Sequence, residues 1–188
     1  MIGPLPYQRL RELPDKLFDQ WGAPRWAVSV AGAPAIRPAG KPLTWDFCPR
    51  PMATKQAARR EQALAAKHRQ WDRLFSYRDQ IRIAFLRAYP EIVRNGPTLE
   101  PVVCMLEFYL QRPKNRPAEK IVVGPPDVKN LIFSVEDALS PPRRGTSLPY
   151  LWRGVWKDDS LSHTIPFRWY ADVDQPPHTR ITVWQMRD

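Results

Sequence analysis

Apolar residues along the 188-residue chain recur with two different periods. From Ala53 to Tyr89 there is no proline or glycine, and Trp71, Leu74, Ile81, Phe85 and Ala88 follow one another at helical spacing. This predicts a long helix whose second half carries an apolar stripe, interrupted at Arg78 and ended by Pro90. In "VVCMLEFYLQRP" the period changes to two: Val103, Met105, Glu107 and Tyr109 alternate with Cys104, Leu106, Phe108 and Leu110. That is a strand with at least one well-buried face. The helical period returns in "VKNLIFSVEDAL", with Val128, Leu131, Ile132, Val135 and Leu139 on one side and Lys129, Phe133, Glu136 and Asp137 on the other. "YLWRGVW" reads as strand-like and "HTRITVW" as a last strand.

Proline changes the picture at the N-terminus. Of 22 prolines many fall in residues 1–51, in phrases such as "GAPRWAVSVAGAPAIRPAGKPL", which forbid continuous helix. The expectation is a proline-rich extended arm over residues 1–43, leading into a first strand near "LTWDF", and one domain over 44–188. The order of elements predicts an α+β fold, a small mixed sheet flanked by helices.

Charge narrows the partner. Twenty-nine lysines and arginines stand against 19 acids, a formal charge of +10. Such an excess suits an anionic partner, nucleic acid before a membrane surface. In the long helix Lys55, Arg59, Arg60, Lys67, Arg69, Arg73, Arg78, Arg82 and Arg87 meet only Glu61, Asp72 and Asp79. A solvated face and a phosphate-contacting face both fit that imbalance.

Cys48 and Cys104 are isolated, with only His68, His163 and His178 to join them, so neither zinc nor a disulfide framework is expected. No stretch approaches the roughly 18 apolar residues of a membrane span, and the chain is expected to be soluble, in a reducing compartment. The phosphate-binding loop, the serine nucleophile elbow and the HExxH zinc motif are all missing from the sequence.

Two acidic phrases remain. Asp127 precedes the second helix, where an N-cap belongs, and Asp158–Asp159 end "GVWKDD", where a turn is the ordinary explanation. Separated aspartates that fold together can also hold magnesium against phosphate.

In order, these phrases resemble the RusA-type Holliday junction resolvases, dimeric, magnesium-dependent endonucleases of bacteria and their phages. The resemblance runs from about Thr44 to the C-terminus. Pro126, Asp127, Asn130, Leu131, Asp137, Ala138 and Leu139 match the family phrase P-D-x-D-N-L-x-K-x-x-x-D-A-L, and Asp158 and Asp159 match the D-D phrase that follows it. The chain departs from the family at Lys129, where the second aspartate would stand, and at Phe133, where the lysine would stand.

The resemblance implies a RusA-like fold, a homodimer, branched DNA as substrate and a cytoplasmic place in a bacterial cell or phage-infected host. It implies a site in which Asp127, Asp158 and Asp159 hold Mg2+ (or Mn2+), with Asp127, Asp159 and Lys129 as the catalytic set. Lys129 would take the phosphate-binding role left open at Phe133. Arg143, Arg144, Arg153 and Lys157 flank the acidic phrases and are expected to gather phosphates. The alternative is a junction-binding protein of the same fold without turnover.

Overall fold

A computed structural model describes residues 12–36, 55–114, 122, 124–142 and 152–186. The elements in chain order are α1 (Leu13–Trp21), β1 (Trp26–Ala31), α2 (Lys55–Ala88), α3 (Glu91–Asn95), β2 (Val102–Leu110), α4 (Val128–Leu139), a 3-10 turn (Asp159–Leu161), β3 (Ser162–Tyr170) and β4 (His178–Gln185). The four strands form one mixed sheet in the order β1-β4-β2-β3. β4 runs antiparallel to both β1 and β2, and β2 runs parallel to β3. The expected α+β class, a small mixed sheet with helices, is what is observed.

A parallel neighbour needs a crossover, and α4 supplies it between β2 and β3. β2 is central and buried along almost its whole length, so its alternating sequence serves two covered faces. The registers Cys104↔Val183, Leu106↔Ile181 and Val30↔Thr179 put one face of β1, β2 and β4 toward the helices. Tyr77, Ile81 and Phe85 of α2 and Leu131, Val135, Ala138 and Leu139 of α4 pack against it in one apolar cluster. The Tyr77 hydroxyl reaches Thr179 Oγ1 at 2.7 Å inside that cluster, and burial pushes the phenol well above its ordinary pKa.

The long helix follows its expectation closely, with one change. Ala88 is exposed, and Tyr77 joins Trp71, Leu74, Ile81 and Phe85 in the buried stripe. At the other end of the stripe Tyr89 pins the chain to the sheet. Its hydroxyl accepts the Ala27 N–H at 2.7 Å and donates to the Ala27 carbonyl at 3.0 Å. β1 is an edge strand, so Tyr89 occupies backbone groups that would otherwise be open to another chain.

Three expectations need correction. Residues 26–31, assigned to the arm, are a full strand of the sheet with Trp26 and Val30 buried, and α1 at Leu13–Trp21 also falls within residues 1–43, so the described part of that segment is not simply extended. The strand expected near "LTWDF" falls outside the described residues. The described part of "YLWRGVW" is irregular chain with a single bridge, Thr98↔Trp156, although Trp152, Val155 and Trp156 are buried. Gly154 explains the irregularity: its φ is +90°, and a Cβ there would lie 2.7 Å from the Pro141 nitrogen. Finally, Ser162–Tyr170 is a strand that Pro166 conceals in the sequence. Proline is tolerated there because β3 is the other edge.

Candidate functional site

The site residues are arranged by α4, and each end of that helix is secured separately. At the N-terminus Asp127 is the cap: its Oδ1 accepts the Lys129 N–H at 2.9 Å. The preceding loop is held by Arg168 of β3, whose guanidinium donates to the carbonyls of Gly124 (2.8 Å) and Pro126 (2.7 Å). Lys129 is exposed, and its ammonium meets no described residue.

At the C-terminus every one of the last four carbonyls has a partner. Glu136 O takes the Ser140 N–H and the Ser140 hydroxyl, both at 2.8 Å. Asp137 O and Ala138 O each take a guanidinium N–H of Arg82 at 3.2 Å, and Leu139 O takes the Val155 N–H at 2.7 Å. A helix end with its orphan acceptors all satisfied is fixed in place. Arg78 adds an ion pair to the Asp137 carboxylate, so the residue that interrupts the apolar stripe of α2 ties the two helices together.

The second acidic phrase arrives at this C-terminal end. Asp159 lies against the hydroxyl of Ser140, the C-cap of α4, and shares its single proton with the Glu136 carbonyl. Asp158 caps the 3-10 turn, accepting the Ser160 N–H at 2.9 Å; that hydrogen bond holds its carboxyl below the usual range. Glu136 lies beside them, half-buried, donating nothing and accepting the Thr164 hydroxyl at 2.7 Å. Burial raises its pKa above the ordinary carboxylate value; the Thr164 hydrogen bond opposes this, while the charges of Asp159 and Asp137 add to it. Burial, with Glu136 contributing, also pushes up the Cys104 thiol.

Asp127 and Asp159 therefore stand at opposite ends of one helix. From residue 127 to residue 140 the axial rise is about 20 Å. The strand beneath agrees: Arg168 marks the N-terminal end of α4 and Thr164 the C-terminal part, a separation of about 13 Å along β3. One magnesium ion needs its carboxylates within a few ångströms of one another, so Asp127, Asp158 and Asp159 of a single chain do not form the expected metal site. Among the described residues no group of three or more His, Cys, Asp or Glu side chains is placed to hold a metal ion. The topology is the physical reason, because a crossover helix must traverse the sheet between two parallel strands.

Of the expected phosphate-gathering residues, Arg153 and Lys157 are exposed beside the C-terminal end, where Trp152 donates to Ser140 O at 3.3 Å and Lys157 N to Thr98 O at 3.1 Å. Arg143 and Arg144 lie outside the described residues. On α2, Arg69, Arg73, Ser76, Gln80, Ile83 and Arg87 form one exposed stripe at spacings of four, three, four, three and four. No acid occupies these six positions, exposed Asp72 stands at the edge of the same face three residues from Arg69, and none of the three arginines pairs with a described residue. Arg168, Thr164, Ser140 and Arg82 organise the ends of α4, yet nothing in their local sequence announces it.

No protein-family model matches the chain, and no curated protein matches it. No helix among the described residues is long and apolar enough to cross a membrane.

Proposed function

We propose that this chain binds branched DNA as a homodimer. The observation that carries the reading is the arginine stripe of α2, whose three guanidinium groups span about 27 Å of helix axis, enough to follow several phosphates of a duplex arm. Arg153 and Lys157 add cations beside the second acidic phrase. The choice of branched over linear DNA comes from the resolvase-like phrases, and a two-fold symmetric protein suits a junction whose ideal form has the same symmetry.

Magnesium-dependent cleavage is the second reading, favoured by the retention of Asp127, Asn130, Asp158 and Asp159 together. It requires carboxylates from more than one copy, since one chain keeps them at opposite ends of α4. Competition between a synthetic four-way junction and linear duplex of equal length, at matched salt, tests the first reading. Preferential retention of the junction is expected; equal competition would reject it.

A further inference from the structure

We propose that the cavity between the end of α1 and the end of β4 takes one unpaired nucleotide of a DNA strand, its base against two indoles and its phosphate against Arg25. The chain turns from α1 into β1 beside the last residues of β4, and the turn leaves a cavity of about 690 Å³ whose lining includes Trp21, Pro24, Arg25, Trp184 and Met186. A cavity of that size is in the range of small-ligand sites and has room for a nucleotide unit.

Its walls are fixed before anything binds. The Trp184 indole N–H donates to the Gly22 carbonyl at 3.0 Å, the Arg25 N–H to the Val183 carbonyl at 2.9 Å and the Met186 N–H to the Pro101 carbonyl at 2.9 Å. Trp21 meets Trp184 edge to face, with 5.5 Å between ring centroids and 74° between planes. Trp184 is buried, but Trp21 is partly exposed and Met186 is 44% exposed, so an apolar and polarisable wall stays open to solvent.

Charge selects the occupant. Arg25 is exposed, its guanidinium lies 4.5 Å from the centre of the Trp26 ring, and it has no ion pair among the described residues. No acid is among the described lining residues, and the carboxylate of Glu100 is engaged by the amide of Gln185. Indole rings beside a stacked, unpaired cation match a nucleobase with its phosphate, because any base can lie on an aromatic side chain whatever the sequence. A proline-rich peptide also suits aromatic-lined grooves but brings no anion for Arg25. The site rests on the DNA binding proposed above and gives it a contact that a fully paired duplex cannot make.

Fluorescence anisotropy of the full chain with a short oligothymidylate, a duplex of the same length and a strand of that length without bases tests the site. The wild type is expected to bind the oligothymidylate about tenfold more tightly than the baseless strand, and Trp21→Ala to remove that difference. Met186→Glu, at an exposed position that does not endanger folding, is expected to weaken the oligothymidylate about tenfold by repelling its phosphate. Arg25→Gln should make the salt slope for the oligothymidylate shallower by about 0.7. All three variants should bind the duplex as the wild type does. Thymidine monophosphate and polyproline, each at the concentration of the strand, are expected not to displace it. Displacement by the nucleotide would make a free nucleotide the occupant, displacement by polyproline a peptide, and either overturns the strand as ligand. Equal wild-type affinity for the strands with and without bases, or variants with equal losses on strand and duplex, overturns the cavity site alone. A wild type that binds none of the three nucleic acids overturns the site and the proposed DNA binding together.

Discussion

Asp127 caps the N-terminus of α4 while Asp159 lies against the Ser140 hydroxyl at its C-terminus, so one helix holds the two carboxylates about 20 Å apart. Groups that distant with no shared partner contribute independently to stability. Asp127→Ala is expected to cost about 1 kcal/mol as a lost N-cap. Adding Asp159→Ala should sum with it to within about 0.5 kcal/mol. Urea denaturation of the two single variants and the double variant measures the coupling. A coupling above about 1 kcal/mol would place both carboxylates in one site after all.

Arg82 is nearly buried and serves two carbonyls of α4 as well as Asp79. Its removal leaves Asp137 O and Ala138 O without donors in the α2–α4 interface. Arg82→Ala is therefore expected to lower stability by about 2–4 kcal/mol. Arg82→Lys should recover only part of this, since an ammonium cannot present the planar fork that spans both acceptors. A denaturation midpoint unchanged by either substitution would show that the α4 C-terminus is secured elsewhere.

The buried hydrogen bond between Tyr77 and Thr179 predicts a cycle. Tyr77→Phe alone strands the Thr179 hydroxyl and is expected to cost about 1–2 kcal/mol. Combining it with Thr179→Val removes the orphan as well as its partner and should return part of that loss. Thermal unfolding of the three variants reads the cycle, and strict additivity of the two losses would count against the bond.

Glu136 predicts a pH dependence with a definite sign. Its folded-state pKa lies above the ordinary value of 4.5, with burial the largest cause. The folded protein then binds this proton more tightly than the unfolded chain does. The associated stability is fully present below about pH 4.5 and is lost as pH rises through the folded pKa. Glu136→Gln, which can still accept from Thr164, should flatten stability against pH across that window. A variant with the same pH slope as the wild type would assign the slope to other groups.

Much of the fold could be read from periodicity. α2, β2, α4 and β4 carry long, regular patterns, and burial follows most of each: Ala88 of α2 is exposed, Val128 and Ile132 of α4 are only partly buried, and β2 is buried on both faces. β1 was hidden because "WAVSVA" is short and enclosed by glycine and proline, and β3 because Pro166 sits within it. Both are edge strands, where pairing on one side relaxes the sequence requirement. The mixed pairing could not be seen, since parallel and antiparallel neighbours have the same alternation.

That limitation decided the site. Asp127 was correctly placed at a helix N-terminus, and Phe133 was correctly turned outward. The distance between the acidic phrases depends on β2 and β3 being parallel neighbours, with α4 laid between them. Arg168 and Ser140, which hold the two ends, make contacts 44 and 19 residues away, beyond any local pattern.

The most direct test of the proposed DNA binding is the salt dependence of affinity for a four-way junction, compared with a variant carrying Arg69→Gln, Arg73→Gln and Arg87→Gln. Each phosphate neutralised contributes about 0.9 to the slope of log affinity against log salt. The variant is expected to bind more weakly at low salt, with a slope shallower by about 2 to 3. Identical affinities and slopes for the two proteins would contradict the assignment of the α2 stripe as the DNA-binding surface.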